Sequence, residues 1–175
     1  MLLETPFRHC PQCGSADFVA EAQNLLQCGA CGFRHHVNPV AAVAAILLDS
    51  SDRVLLIRRA KEPAKGKLAM PGGFVDLGET AEMALEREIK EEVNVDFFDV
   101  RYLTSHPNRY AYQGFHIPVL DLFYTARVHS WDAAKALAEV ESFSICHPTE
   151  VDPRELAFES MAQAWARFRA MLVGS

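Results

Sequence analysis

Three glutamates, Glu88, Glu91 and Glu92, fall within EREIKEEVNV at residues 86–95. Spaced three and four apart, they are neighbours on a helix. At about 100° per residue, Glu88 and Glu92 lie beside the apolar positions Ala81, Leu85 and Ile89, with Glu91 just outside that flank. Acids serving only solubility would sit opposite, where Glu86 and Lys90 are. At separations of about 5 Å and an effective dielectric of about 20, each like-charge pair costs roughly 3 kcal/mol. A divalent cation relieves that repulsion, and oxygen ligands left partly unfilled favour Mg2+ or Mn2+, which keep waters and accept phosphates. The competing account is a solvated charge run neutralised by Arg87 and Lys90.

A second constellation is made of sulfur. Four of the five cysteines occupy two C-x-x-C-G turns, Cys10 and Cys13 in CPQCG and Cys28 and Cys31 in CGACG. Tetrahedral zinc needs four thiolates converging from two tight turns, and the glycines permit the positive φ such turns require. Four cysteines leave no open coordination position, so the zinc expected here is structural, with His9, His35 and His36 outside it. Two disulfides or a redox C-x-x-C are the alternatives; a cytosolic setting disfavours the first, and no flanking βαβ pattern supports the second. Cys146, followed by His147 and Pro148, reads as a small buried hydrophobe.

The elements that must position these groups follow from composition and pattern. The chain has 175 residues, 50% hydrophobic and 23% charged, as expected of one main globular domain with a small appendage. A net charge of −6 offers no basic field for nucleic acid, so no nucleic-acid partner is expected. The longest apolar run, VAAVAAILL at 40–48, is far too short to span a bilayer and reads as a buried strand; no membrane partner is expected. The first ten residues lack signal-peptide character, and a cytoplasmic location is the default. Residues 1–37 cannot bury a core without their metal, which supplies the missing energy. The division expected is 1–37 for the ribbon and 38–175 for the main domain. RVLLIRR at 53–59 reads as a hairpin neighbour of the first strand, and EPAKGKLAMPGG as a loop. Thr80 caps the acidic helix. VDFFDVRYLT and IPVLDLFYTARV read as strands separated by the turn-prone SHPNRYAYQG, and VESFSIC as a shorter one. DPRE at 152–155 carries a helix-start signal, after which Met161, Trp165, Phe168 and Leu172 recur at helical spacing and should pack on the body.

The stretch GFVDLGETAEMALEREIKEEVNV, from Gly73 on, resembles the signature of the Nudix hydrolase family: Gly73, Glu79, Arg87, Glu88, Ile89, Glu91, Glu92, Asn94 and Val95 stand at its places. The family's second Gly is here Asn94, the next residue best able to adopt a left-handed cap. The resemblance implies an α/β fold, an α/β/α sandwich with a mixed sheet, preceded here by the four-cysteine zinc ribbon. It also implies metal-dependent hydrolysis of a diphosphate in a nucleoside diphosphate derivative. Carried over by position, Glu88 and Glu92 are principal ligands of Mg2+ or Mn2+, Glu91 a further one, and the carbonyl of Gly72 a backbone ligand. Arg87 orients the glutamates, and Glu79 braces the loop or contacts metal-bound water. Glu88, Glu91, Glu139, Glu141 and Glu150 remain candidates for the general base.

A zinc ribbon before such a domain resembles two branches, the NADH pyrophosphatases and smaller enzymes acting on ADP-ribose, FAD or similar dinucleotides. TSHPNRYAYQGFHIP lacks the Trp and Phe pattern of the first branch, and VDPRELAFESM resembles the Leu-Ala-Phe segment of the second. Tyr110, Tyr112 and Phe115 could stack on adenine, or pack on the strand surface. Arg58, Arg59 and Arg109 could meet phosphates. The expected partner is a small nucleotide substrate, with NADH as the alternative, a non-catalytic nucleotide sensor as a third reading, and a homodimer permitted but not required.

Overall fold

The computed structural model describes residues 7–173. The chain divides into two compact units. One ends at Pro39 and takes in Arg109–Pro118; the other comprises Val40–Asn108 and the chain from Val119 on.

In the first unit, β1 (Phe18–Ala22), β2 (Leu25–Cys28) and β3 (Arg34–His36) form an antiparallel three-stranded sheet in that order. Among the described residues its core cluster is Cys10, Phe18, Leu26 and Cys28, with Phe33 and Val37 packed against them. So small a cluster cannot offset the conformational entropy of ordering the segment.

The second unit is built on β4 (Val40–Leu48), β5 (Val54–Arg59), β6 (Leu68–Ala69), β7 (Gly72–Phe74), β8 (Phe97–Tyr112), β9 (Phe115–Val128) and β10 (Val140–Cys146), except for the β8–β9 tip, Arg109–Pro118, which belongs to the first. The sheet order is β10-β5-β4-β9-β8, with β6 beside β5 and β7 beside β4. β4 runs parallel to β9 and antiparallel to β5 and β7, so the sheet is mixed. Every residue of Val43–Leu48 and Val54–Ile57 is buried. Consecutive strand residues point to opposite faces, so both faces of the central strands are covered, and the unit is a three-layer α/β/α sandwich. The covering helices are α1 (Ala81–Val93) and α2 (Glu159–Val173), which bury Ala84, Leu85, Ile89 and Val93, and Met161, Ala164, Trp165 and Phe168.

Local chemistry sets the ends of α1. Thr80 caps its N-terminus by accepting from the Met83 N–H at 3.2 Å. Asn94 ends it in the left-handed region, φ 53° and ψ 43°, with its N–H on the Ile89 carbonyl.

Four expectations are corrected. DPRE does not open the last helix: Asp152 caps a single 3-10 turn, Pro153–Glu155, and α2 starts at Glu159. The Ala157 N–H donates to the Leu68 carbonyl and Leu156 bridges Leu68, so tertiary pairing holds the chain extended where the local signal favours a helix. SHPNRYAYQG is not a loop, since β8 and β9 extend until only Gln113 and Gly114 turn the chain. Both have positive φ, as two-residue hairpin turns require. EPAKGKLAMPGG contains β6 and the first residues of β7. Leu172 is exposed rather than packed on the body.

Candidate active site

The start of β7 and the inner face of α1 converge. Glu92 is buried, and its Oε2 accepts from the Gly72 N–H at 2.9 Å. A side chain on Gly72 would strike the Val43 carbonyl oxygen at 2.1 Å; one on Gly73 would strike the Glu88 carboxylate at 2.4 Å. The paired glycines therefore let β7 lie flat on β4 while the Glu88 carboxylate reaches the backbone. Burial, opposed by the Gly72 N–H and reinforced by the negative Glu88, pushes the Glu92 carboxyl up to about 7. Burial likewise raises Glu88, against the pull of Arg87.

Arg87 binds the acids together. Its Nε and Nη2 donate to the two oxygens of Glu79 at 2.8 and 2.9 Å, Nη1 donates to Glu88 at 2.7 Å, and Nη2 also reaches the Phe74 carbonyl at 3.0 Å. Glu91 lies 3.8 Å from Nη1 and Asp76 3.8 Å from Nη2. This bidentate hold on Glu79 drops its carboxyl to about 2 and raises the guanidinium. Lys90, the other cation of the run, turns away to Asp96 at 3.1 Å. One arginine cannot balance Glu79, Glu88, Glu91 and Glu92 together, so the cluster keeps an excess of oxygen donors suited to a hard divalent cation.

The other sequence-selected groups separate. Arg58 donates through Nη1 to the Gly66 carbonyl. Arg59 is held differently: Nε donates to the Pro63 carbonyl at 2.9 Å, the guanidinium lies 5.3 Å from the Phe158 ring centre, and its charge reaches Glu92. Adjacent strand residues face opposite sides, so only one of this pair can look toward the box, and sequence alone does not say which. Arg109, Tyr110 and Tyr112 belong to the other compact unit, not to the one carrying α1. There Tyr112 packs edge-on against Phe115, ring centres 6.1 Å apart. Of the downstream acids, Glu150 closes a capping box on His147, Glu141 is exposed, and Glu139 pairs with Lys61 at 2.8 Å. Glu139 also bears electrostatically on Glu92, as the weakest of its main influences. Its approach comes from the segment after β9, which docks on the end of α1: Lys135 N–H donates to the Val93 carbonyl, Leu137 N–H to Glu92, and Asn94 Nδ2 to Ala133, each at 3.0 Å. Sequence spacing carries no signal for this docking, which joins residues some forty positions apart.

In the first unit the sulfurs of Cys10, Cys13, Cys28 and Cys31 all lie within 4.8 Å of one another, with Cys10 to Cys31 and Cys13 to Cys28 at 3.7 Å. A Zn–S bond of about 2.3 Å places tetrahedral sulfurs about 3.8 Å apart, whereas a disulfide requires about 2.05 Å. The two turns match: Gly14 and Gly32, both at φ 75°, donate to the Cys10 and Cys28 carbonyls at 2.8 and 2.9 Å. The donor set and spacing fit a closed four-thiolate metal site.

The chain matches the NUDIX domain over residues 38–168. It is 33% identical over 100 residues to the NAD-capped RNA hydrolase NudC of Vibrio atlanticus, covering 57% of this chain and 36% of that protein. It is 46% identical over 63 residues to the ADP-ribose pyrophosphatase of Methanocaldococcus jannaschii, covering 36% and 37%. The NudC of Yersinia pestis matches at 27% over 92% of this chain and 51% of its own length. The matches thus span between about a third and a half of these relatives' lengths. Among solved structures, a NUDIX hydrolase from Nitrosomonas europaea superposes with a TM-score of 0.66 at 24% identity, covering 90% and 88% of the two chains. The NUDIX domain of Shewanella oneidensis NrtR, complexed with ADP ribose, gives 0.63 at 25%, covering 77% and 90%. With its signature residues gathered on α1 and β7 and the domain match spanning most of its length, this chain belongs to the Nudix family.

Proposed function

We propose that the protein hydrolyses the diphosphate of an ADP-linked small molecule, ADP-ribose, FAD or a related dinucleotide. The observation that carries the reading is a buried Glu92, held by the Gly72 N–H and repelled by Glu88, beside Glu88 and Glu91, which share a single arginine, an acidic excess that a divalent cation would complete. In this reading Glu88, Glu91, Glu92 and the Gly72 carbonyl hold Mg2+ or Mn2+, which when bound withdraws charge from the phosphates and acidifies a water. Arg87 fixes the carboxylate of Glu88 and, through Glu79, the loop before α1. Glu139, whose charge reaches Glu92, accepts the water's proton; Arg59, stacked on Phe158, presents its guanidinium to a phosphate. The four thiolates hold a structural zinc, consistent with a reducing cytoplasm.

The ADP-ribose pyrophosphatase relative and the ADP-ribose complex of the NrtR domain support this substrate class. A second reading, the NADH or NAD-capped RNA hydrolysis of the NudC relatives, is favoured by the ribbon and by a match that covers 92% of the chain. A panel of ADP-ribose, FAD, NADH and an NAD-capped oligonucleotide, with Mg2+, decides between them. AMP released fastest from ADP-ribose or FAD supports the first; fastest cleavage of NADH or the capped RNA overturns it.

A further inference from the structure

Asn94 occupies the place where the family signature has Gly. Its backbone does what the glycine would do, at φ 53° with the N–H on Ile89. Its side chain does something glycine cannot: Nδ2 donates to the Ala133 carbonyl at 3.0 Å. That contact is one of four hydrogen bonds made by main-chain groups of residues 133–139 to the end of α1 and to Ala60; nearer the start of the segment, Trp131 Nε1 donates to Asp49 at 2.8 Å. The other three of the four are Lys135 N–H to Val93, Leu137 N–H to Glu92, and the Ala60 N–H to the Glu139 carbonyl at 2.9 Å. Together they form a line from the end of α1 to Glu139, whose carboxylate meets Lys61. Among these four, Asn94 supplies the one side chain; Trp131 on Asp49 and Lys61 on the Glu139 carboxylate are further side-chain contacts at the two ends of the segment. The third of the four, through Leu137, reaches the main chain of Glu92 itself.

We infer that Asn94 is a positioning residue: its amide staples the 129–139 segment to the end of the acidic helix and thereby holds Glu139 at a fixed place relative to Glu92. The inference rests on the proposed part of Glu139 in hydrolysis. It takes the substitution of the signature glycine as a gain of one tether. A left-handed residue without the amide leaves α1 capped but frees the segment to move on its remaining hydrogen bonds.

The test compares wild type, N94G, N94D, E139Q and N94G/E139Q in full-length protein. N94G keeps the left-handed cap and loses only the donor; N94D tolerates the same conformation and also lacks it. In both, kcat for the preferred substrate falls roughly tenfold with KM unchanged, and hydrogen exchange quickens at the Lys135 and Leu137 amides. In the E139Q background, N94G lowers kcat no further, because the group being positioned is already gone. Wild-type kcat and exchange in N94G overturn the inference, as does a loss that adds fully to that of E139Q. E139Q alone at wild-type kcat overturns the role given to Glu139 and the positioning role with it, a failure recognisable from the single variant.

Discussion

Glu92 is buried against the Gly72 N–H, and that burial raises its carboxyl, in conflict with the charged form the proposed cation would need. The two glycines of β7 answer different parts of it. Ala at Gly73 drives a methyl into the Glu88 carboxylate, a flexible group that can swing aside. G73A should therefore fold near wild-type stability and lose roughly a hundredfold in kcat/KM, as displaced catalytic geometry does; thermal melts and Mg2+-dependent kinetics check both halves. Ala at Gly72 meets β4 backbone and a φ of 148°. G72A should cost about 3 kcal/mol or more, read as a lower urea midpoint. The acids were legible from their spacing, and the glycines from the resemblance to the family signature. What they touch was not: the bidentate grip of Arg87 on Glu79, eight residues away, depends on the loop between them folding back.

At the level of elements, sequence signals held where local chemistry decides and failed where distant pairing does. Thr80 and Asn94 end α1 as their side chains and backbone preferences dictate. DPRE has equally good local credentials, yet Leu68 captures the residues after it. Polar residues suggested a break at SHPNRYAYQG because strand pairing with β9 has no local signature. Among those polar residues, Asn108 and His106 approach a buried carboxylate, Asp121 on β9, which also accepts from Ser160 on α2 at 2.5 Å. Burial raises the Asp121 carboxyl, while Ser160, Asn108 and then His106 oppose the shift. A raised carboxyl contributes stability that is complete below its ordinary value of about 3.9 and disappears as pH rises through the folded value. Urea unfolding from pH 4 to 8 should therefore show wild type losing stability relative to D121N as pH increases. A difference that is flat or of opposite slope would remove Asp121 as a strained link between β9 and α2.

For the whole molecule, the four-cysteine pattern was readable because its ligands come in two short turns, and the thiols do converge. The inclusion of Arg109–Pro118 in the same compact unit was not, since it depends on the length of the β8–β9 hairpin. The first unit's core is small, and the four converging thiols are the crosslink that a bound metal would supply. A strong zinc chelator should abolish amide protection in β1–β3 while leaving protection in β4 and β5 intact. Unchanged protection in β1–β3 after metal removal would show that packing alone suffices. Among the described residues no helix is long and apolar enough to cross a membrane.

The most direct test of the central claim is calorimetric titration of Mg2+ into the protein holding a non-hydrolysable ADP-ribose analogue, in wild type and E92Q. Saturable Mg2+ binding in wild type, largely lost in E92Q together with AMP release from ADP-ribose, is the predicted result. Equal Mg2+ binding and equal turnover in the two proteins would contradict it.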